Sequence, residues 1–164
     1  MLIHPFPPTY NEKSKILILG SFPSVKSRET GYYYGHPRNR FWKVLSAIYS
    51  EKVPINNEEK EELVLRNELA LWDAVAVCNI RGSEDSSIKN VIPNDISLII
   101  KQSCIKKIIV NGKSAQSLYK KYSEKKTGIE AICLPSTSPA NAAWSLERLI
   151  AEWKKFLCSS YPYG

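Results

Sequence analysis

The sequence predicts an α/β fold in which a parallel sheet of four strands is covered by helices on both faces. Two observations lead there. Short apolar, β-branched runs recur along the chain. Amphipathic helical segments and polar loops lie between them, so strands alternate with helices. The 164 residues suit a single domain, residues 1–164, at the usual ~100–200 residues per domain.

Lys15–Gly20 (KILILG) reads as a buried parallel strand closed by glycine. Ser21–Arg38 follows as a long loop rich in Pro, Gly, Ser and aromatics. In Asn39–Ser50, Phe41, Leu45, Ile48 and Tyr49 share one helical face, which assigns Phe41 and Trp42 to the core. Asn56 with Glu59 three positions on marks the start of a helix through NEEKEELVLRNEL. Ala70–Val77 is the second strand, followed by a polar loop through Pro93. Asn94 or Asp95 caps a helix that runs to about Ser103. Lys106–Asn111 is the third strand, GKSAQSLYKKY the next helix, and Ile129–Leu134 the fourth strand. Beyond the loop Pro135–Asn141, Trp144, Leu146, Leu149, Ile150, Trp153 and Leu157 recur at helical spacing.

Lys and Arg number 23 against 16 Asp and Glu, a formal charge of +7. Such a balance favours a polyanionic partner, and it is also common in proteins that it merely keeps in solution. Residues 101–126 hold eight lysines against Glu124 alone. That stretch suits a solvated helix face as well as a polyanion, and it stays outside the candidate site. Cys78, Cys104, Cys133 and Cys158 form no CxxC or cluster-binding spacing. They suit a reduced cytosolic protein with neither structural metal nor cofactor. No apolar run approaches the ~18 residues of a membrane span, and MLIHPFPPTY lacks the basic start of a signal peptide. The expected location is the cytoplasm, with no membrane contact.

Ligands of open parallel sheets bind beyond the carboxyl ends of the strands. Three unusual segments, Ser21–Arg38, Cys78–Pro93 and Pro135–Asn141, each follow a strand and should converge on one face. Tyr32, Tyr33 and Tyr34 lie between Gly31 and Gly35, with Lys26, Arg28, Arg38 and Arg40 nearby. Such a loop suits stacking of a flat base beside a phosphate backbone; the same tyrosines also suit a hydrophobic lid on the core. Other chemistries fit poorly. NGKS at 111–114 lacks the upstream glycine of a P-loop, and neither GxGxxG nor GxSxG occurs. With His4 and His36 the only histidines, a His-rich metal site or a His-based triad has little support.

GSFPS (Gly20–Ser24), GYYYGHPRNRFWKVL (Gly31–Leu45) and LPSTSPAN (Leu134–Asn141) resemble, in order, the motifs of the uracil-DNA glycosylase superfamily. GHPRNRFWKVL is similar to the mismatch-specific uracil enzymes. GSFPS together with LWD and RGSEDSSI (Arg81–Ile88) is closer to the hypoxanthine-DNA (deoxyinosine) glycosylase branch. The resemblance runs from about Phe6 to Phe156. It implies a three-layer α/β/α sandwich around the four-stranded parallel sheet. It also implies a monofunctional glycosylase, a monomer acting on DNA that contains a deaminated base. The base is flipped into a pocket and the base–sugar bond hydrolysed, leaving an abasic site. Hypoxanthine is the substrate so implied. Uracil or thymine excision from mismatches, a silent DNA-binding module of the same fold, and a hydrolase of small nucleosides remain as alternatives.

One position departs from the superfamily pattern. Where relatives carry an Asp or Asn that positions the attacking water, this chain has Phe22, which can neither activate nor orient water. The catalytic role implied by the hypoxanthine branch moves to Asn39, whose carbonyl can align a water while an oxocarbenium-like centre forms. Asn39 also suits an ordinary helix N-cap before RFWKVL. For base binding, the resemblance implies the backbone N–H groups of Ser21 and Phe22, stacking by Tyr34, and a contact from Asp73. A carboxylate at Asp73 would accept the N1–H of hypoxanthine, or serve simply as a paired charge near a strand end. Ser136, Thr137, Ser138, Pro139, Ala140 and Asn141 are the implied DNA-binding loop, apolar at Pro139 and Ala140, with hydroxyls for phosphates.

Overall fold

The protein is described by a computed structural model over residues 1–157. It begins with a two-residue strand, β1 (Leu2–Ile3), and enters the main sheet at β2 (Ile16–Gly20). Leu17, Ile18 and Leu19 are each 0% exposed. Successive strand residues point to opposite faces, so such a run stays dry only where both faces of the sheet are covered. Strand β2 pairs in parallel with β3 (Leu69–Asp73) and with β6 (Lys107–Asn111). Strand β6 pairs in parallel with β7 (Ile132–Leu134), giving the order β3-β2-β6-β7. The expected four-stranded parallel sheet is present.

Helix α2 (Phe41–Ile48) packs on α7 (Leu146–Leu157), with the rings of Phe41 and Trp153 6.0 Å apart and edge to face. Helix α3 (Asn57–Arg66) starts where Asn56 accepts the Glu59 N–H at 2.8 Å, and it buries Leu63 and Val64. Helices α4 (Ile96–Lys101), α5 (Lys113–Tyr122) and α6 (Glu124–Thr127) form a second group. Lys126 of α6 is paired at 3.0 Å with Asp95, just before α4.

Several boundaries differ from the sequence expectation. The run Ala70–Val77 is broken at Ala74 into β3 and β4 (Val75–Arg81), which belong to different sheets. Asn94 clamps the break: its side-chain amide donates to Asp73 O at 2.8 Å and Val75 O at 3.2 Å, and its own N–H to Ala74 O at 3.0 Å. The polar segment after it is a hairpin rather than a loop, formed by β4 and β5 (Glu84–Pro93) around Gly82 and Ser83. Gly82 has φ +55, as a tight hairpin turn requires. With β1 on its other edge, β4 completes a small antiparallel sheet that brings the N-terminus to the end of β3. Ser21–Arg38 contains a short helix, α1 (Val25–Thr30), whose Ser24 hydroxyl accepts the Ser27 N–H. The fourth strand is shortened to Ile132–Leu134.

Candidate active site

The ends of β2, β3 and β6 open into a cavity of about 350 Å³. Its walls come from the segment after β2, the β4–β5 hairpin and the segment after β7, the three segments the sequence placed on one face. Ser21, Phe22, Tyr34, Asn39, Asp73 and Ser136 to Ala140 all line it. Asn141 does not. It shapes the loop instead, donating from Nδ2 to Ser136 O at 3.0 Å.

Gly20, at the end of β2, sets the floor. A methyl group there would stand 2.5 Å from Asp73 Oδ1 and 3.1 Å from the Tyr34 hydroxyl, so only glycine lets those two groups close on the strand end. The Asp73 carboxylate is almost dry, at 5% side-chain exposure, and so is His4 at 4%. His4 Nε2 donates to Asp73 Oδ2 at 2.7 Å, while its Nδ1 accepts the Phe6 N–H at 3.4 Å. A charge this buried persists only with such a partner. Asp73 is thus tied through one oxygen to His4, and its second oxygen lies at the cavity floor.

Tyr34 has φ +54, a left-handed conformation that non-glycine residues seldom adopt. This places its ring against Phe41, centroids 4.0 Å apart and planes within 26°. Its hydroxyl is buried and has no hydrogen-bond partner among the described residues. Burial, reinforced by the charge of Asp73, pushes the phenol well above its ordinary range. Tyr33 and Tyr32 are core residues; Tyr33 donates its hydroxyl to Pro7 O at 2.9 Å. Of the three tyrosines, Tyr34 is the one with a face left for a ligand.

Asn39 is held from both sides. Its Oδ1 accepts the Phe41 N–H at 2.9 Å and the Thr137 hydroxyl at 2.9 Å. The first bond performs the capping role foreseen for Asn39, although the residue at the cap position itself is Arg40. The second belongs to a chain: Asn111 Nδ2 donates to Thr137 Oγ1, and the Thr137 N–H donates to Asn111 Oδ1, both at 3.0 Å. With two donors on the carbonyl oxygen, the end that Asn39 has left to offer is the amide nitrogen. The carbonyl expected to align a water is engaged within the protein by these two bonds. Thr137, placed by the sequence in the DNA-binding loop, is 0% exposed and its hydroxyl is committed to this network.

Arg40 fixes the last wall. Its guanidinium donates to the carbonyls of Thr137, Ser138, Asn141 and Trp144, four acceptors on one loop. Pro139 and Ala140 are left exposed at the tip. The hydroxyls of Ser136 and Ser138 accept the N–H groups of Ser138 and Ala140, both at 3.1 Å, which leaves their protons free to donate. The Phe22 side chain is 6% exposed and packs with Ala74, Val75 and Cys78 in a second apolar cluster, which leaves its backbone N–H as its polar group in the cavity wall.

His4, Asn111 and Asp85 are site residues that the sequence left without a role, and Arg40, expected beside a phosphate backbone, instead clamps the loop after β7. Asp85 accepts the Ser21 hydroxyl at 2.9 Å. Its only sequence signal was its place in RGSEDSSI, and the partners of His4 and Arg40 lie 69 to 104 positions away.

Open parallel sheets in general bind ligands at their strand ends; the family to which this fold belongs supplies the class, the DNA glycosylases, hydrolases of the base–sugar bond. The chain belongs to the uracil DNA glycosylase superfamily, whose family model matches residues 7–157. It is 38% identical over 112 residues to a protein from Methanosarcina barkeri (strain Fusaro) named hypoxanthine DNA glycosylase, covering 67% of this chain and 71% of that protein. A protein of the same name from Methanosarcina acetivorans is 33% identical over 156 residues, 94% of this chain and 97% of the other. A solution NMR structure from Methanosarcina acetivorans, provisionally described as a uracil DNA glycosylase, superposes with a TM-score of 0.80 at 33% identity. The match covers 95% of this chain and 97% of that one. Fold and family agree with the motif resemblance. No helix among the described residues is long and apolar enough to cross a membrane.

Proposed function

We propose that the protein excises hypoxanthine from DNA, leaving an abasic site. The observation that carries this reading is the cavity. Its volume of about 350 Å³ lies in the ~300–1,000 Å³ range of ligand pockets, room enough for one flipped purine. Its floor offers a carboxylate oxygen beside a tyrosine face. Hypoxanthine presents an N1–H donor to Asp73 Oδ1 while its ring lies on Tyr34, and the backbone N–H groups of Ser21 and Phe22 suit its O6. The two relatives named hypoxanthine DNA glycosylase support the same substrate.

In this reading the exposed tip Pro139–Ala140 presses into the minor groove and fills the place of the flipped nucleotide. The Ser136 and Ser138 hydroxyls donate to phosphate oxygens. Asn39 donates from Nδ2 to the oxygen of the attacking water and holds it below C1′. Because departure of the base leads, positioning of this water contributes more than raising its nucleophilicity. One chain acts alone on DNA in the cytoplasm.

The test pairs excision with binding on a duplex carrying one hypoxanthine. Asn39→Ala is expected to lose base release while keeping salt-sensitive affinity for the duplex. Base release by Asn39→Ala at the wild-type rate would remove Asn39 from the chemistry. A wild-type protein that binds but releases nothing would mark a binding module.

A further inference from the structure

Hydrolysis of a base–sugar bond takes a proton from water, and Asn39 cannot accept it. The following rests on the glycosylase reading above. Among the described residues lining the cavity, the candidates for that proton fall away one by one. His36 Nδ1 already accepts the Arg38 N–H at 3.0 Å, so its other ring nitrogen is a donor. Asp73 has one oxygen on His4, and its other oxygen is taken by the N1–H of the base in the reading above. Tyr33 and Tyr34 are held protonated by burial.

Asp85 remains. It stands on β5 in the cavity wall, beside the segment that carries Ser21 and Phe22. One carboxylate oxygen accepts the hydroxyl of Ser21, a residue only 8% exposed; the other has no protein partner among the described residues. The hairpin that carries it is tied down at its tip. Ser83 Oγ accepts the Val25 N–H at 2.9 Å, and Arg28 Nη2 donates to Gly82 O at 2.7 Å. Asp85 is thus a positioned carboxylate with a free lone pair, on a braced element, in the wall of the reaction cavity.

We propose that Asp85 is the general base of the reaction and accepts the proton of the water that Asn39 holds. The water oxygen bonds to C1′ as the C1′–N9 bond breaks, and that bond's electron pair leaves on the base. The water proton passes to Asp85 and from Asp85 to the departed base. Free hypoxanthine and an abasic sugar result, and the carboxylate is restored.

The surroundings favour this role. Asp85 is exposed to solvent on one side of the hairpin; desolvation on its cavity side raises the carboxyl above its ordinary range, with the Ser21 hydrogen bond opposing and the charge of Asp73 adding. The other titratable and charged groups in its electrostatic surroundings are Cys78 on β4, Tyr34 on the aromatic loop, Arg28 on α1, and the Arg81–Glu84 pair at the hairpin turn. A raised carboxyl is a stronger base once ionised, and general bases of this kind contribute roughly 100- to 10,000-fold. The sign for activity follows: excision rises with pH as Asp85 deprotonates and falls as pH drops through its elevated pKa.

The experiment is single-turnover release of hypoxanthine from a duplex, followed from acid to neutral pH, with duplex affinity measured alongside. Asp85→Asn is expected to lose about 100-fold or more of the rate, together with the acid limb of the profile, while keeping affinity. Asp85→Glu should keep the limb. Ser21→Ala, which removes the hydrogen bond that favours the charged form, should move the limb to higher pH. Should Asp85→Asn not fold, the Glu and Ser21→Ala profiles decide. A wild-type rate in Asp85→Asn, or an acid limb that Ser21→Ala leaves in place, overturns the assignment while hypoxanthine release by the wild type stands. Absence of release by the wild type removes the glycosylase reading and this proposal together.

Discussion

Thr137→Val isolates the link between the buried network and the chemistry. Valine keeps the shape of threonine and removes one hydroxyl, which in the wild type donates to Asn39 Oδ1 at 2.9 Å and accepts from Asn111 Nδ2 at 3.0 Å. Asn39 still caps the Phe41 N–H, but nothing then fixes its amide toward Thr137. Losing one net hydrogen bond of orientation, ~0.5–1.5 kcal/mol, lowers excision about two- to tenfold at ~1.36 kcal/mol per decade. The unpaired Asn111 amide adds a stability cost of ~1–3 kcal/mol, since a buried donor is left unmade. Thr137→Ser restores the hydroxyl and should return the rate to within about twofold of wild type. Single-turnover excision reads the first quantity and urea unfolding the second. A Val variant that loses stability but excises at the wild-type rate would refute the idea that Thr137 positions Asn39.

Further expectations concern the other parts of the site. Arg40→Ala frees four carbonyls of the 137–144 loop from one guanidinium; at least about 2 kcal/mol of stability and much of the duplex affinity should go. Arg40→Lys should rescue little, because an ammonium lacks the planar fork; thermal melts and a binding titration check both. His4→Ala leaves the Asp73 carboxylate buried without its partner, at a cost of ~3–5 kcal/mol, read as a lowered urea midpoint. Gly20→Ala drives a methyl group to 2.5 Å from Asp73 Oδ1. Overpacking of ~1–3 kcal/mol and a displaced base-reading carboxylate should follow, seen as impaired hypoxanthine release.

What the sequence shows most clearly is whatever is dry on both faces. ILILG in β2 and the central IIV of β6 stand out because the sheet is covered above and below, so those stretches are apolar. The convergence of three segments on one face follows from the parallel topology alone, and all three reach the cavity. The β4–β5 hairpin was hidden for the opposite reason. Most of β5 is exposed or half-exposed, its register shifts repeatedly against β4, and Asn90 adopts φ +55, so neither alternation nor an apolar run marks it. The break at Ala74 was invisible because the buried stretch continues across it, from Leu69–Asp73 to Val75; its cause is Asn94, twenty positions downstream in the chain.

Within the site, the residues carried by motifs were legible, and those that hold them in place were not. Asn39, Tyr34 and Asp73 were named through the motif resemblance, and all three line the cavity. The direction of the Asn39 amide depends on Thr137, 98 positions away, and the dryness of Asp73 depends on His4, 69 positions away. Thr137 looked like a surface hydroxyl because its neighbours Ser136, Ser138 and Pro139 belong to a polar loop. Only the Arg40 clamp and the Asn111 pair turn it inward.

The most direct measurement uses end-labelled duplexes that carry one hypoxanthine, one uracil, or neither. Each is incubated with the protein and then treated with hot alkali to break the strand at abasic sites. Breakage at hypoxanthine with little at uracil is the expected result. Breakage chiefly at uracil would contradict the substrate assigned to this cavity, and intact strands throughout, with binding retained, would contradict the hydrolysis itself.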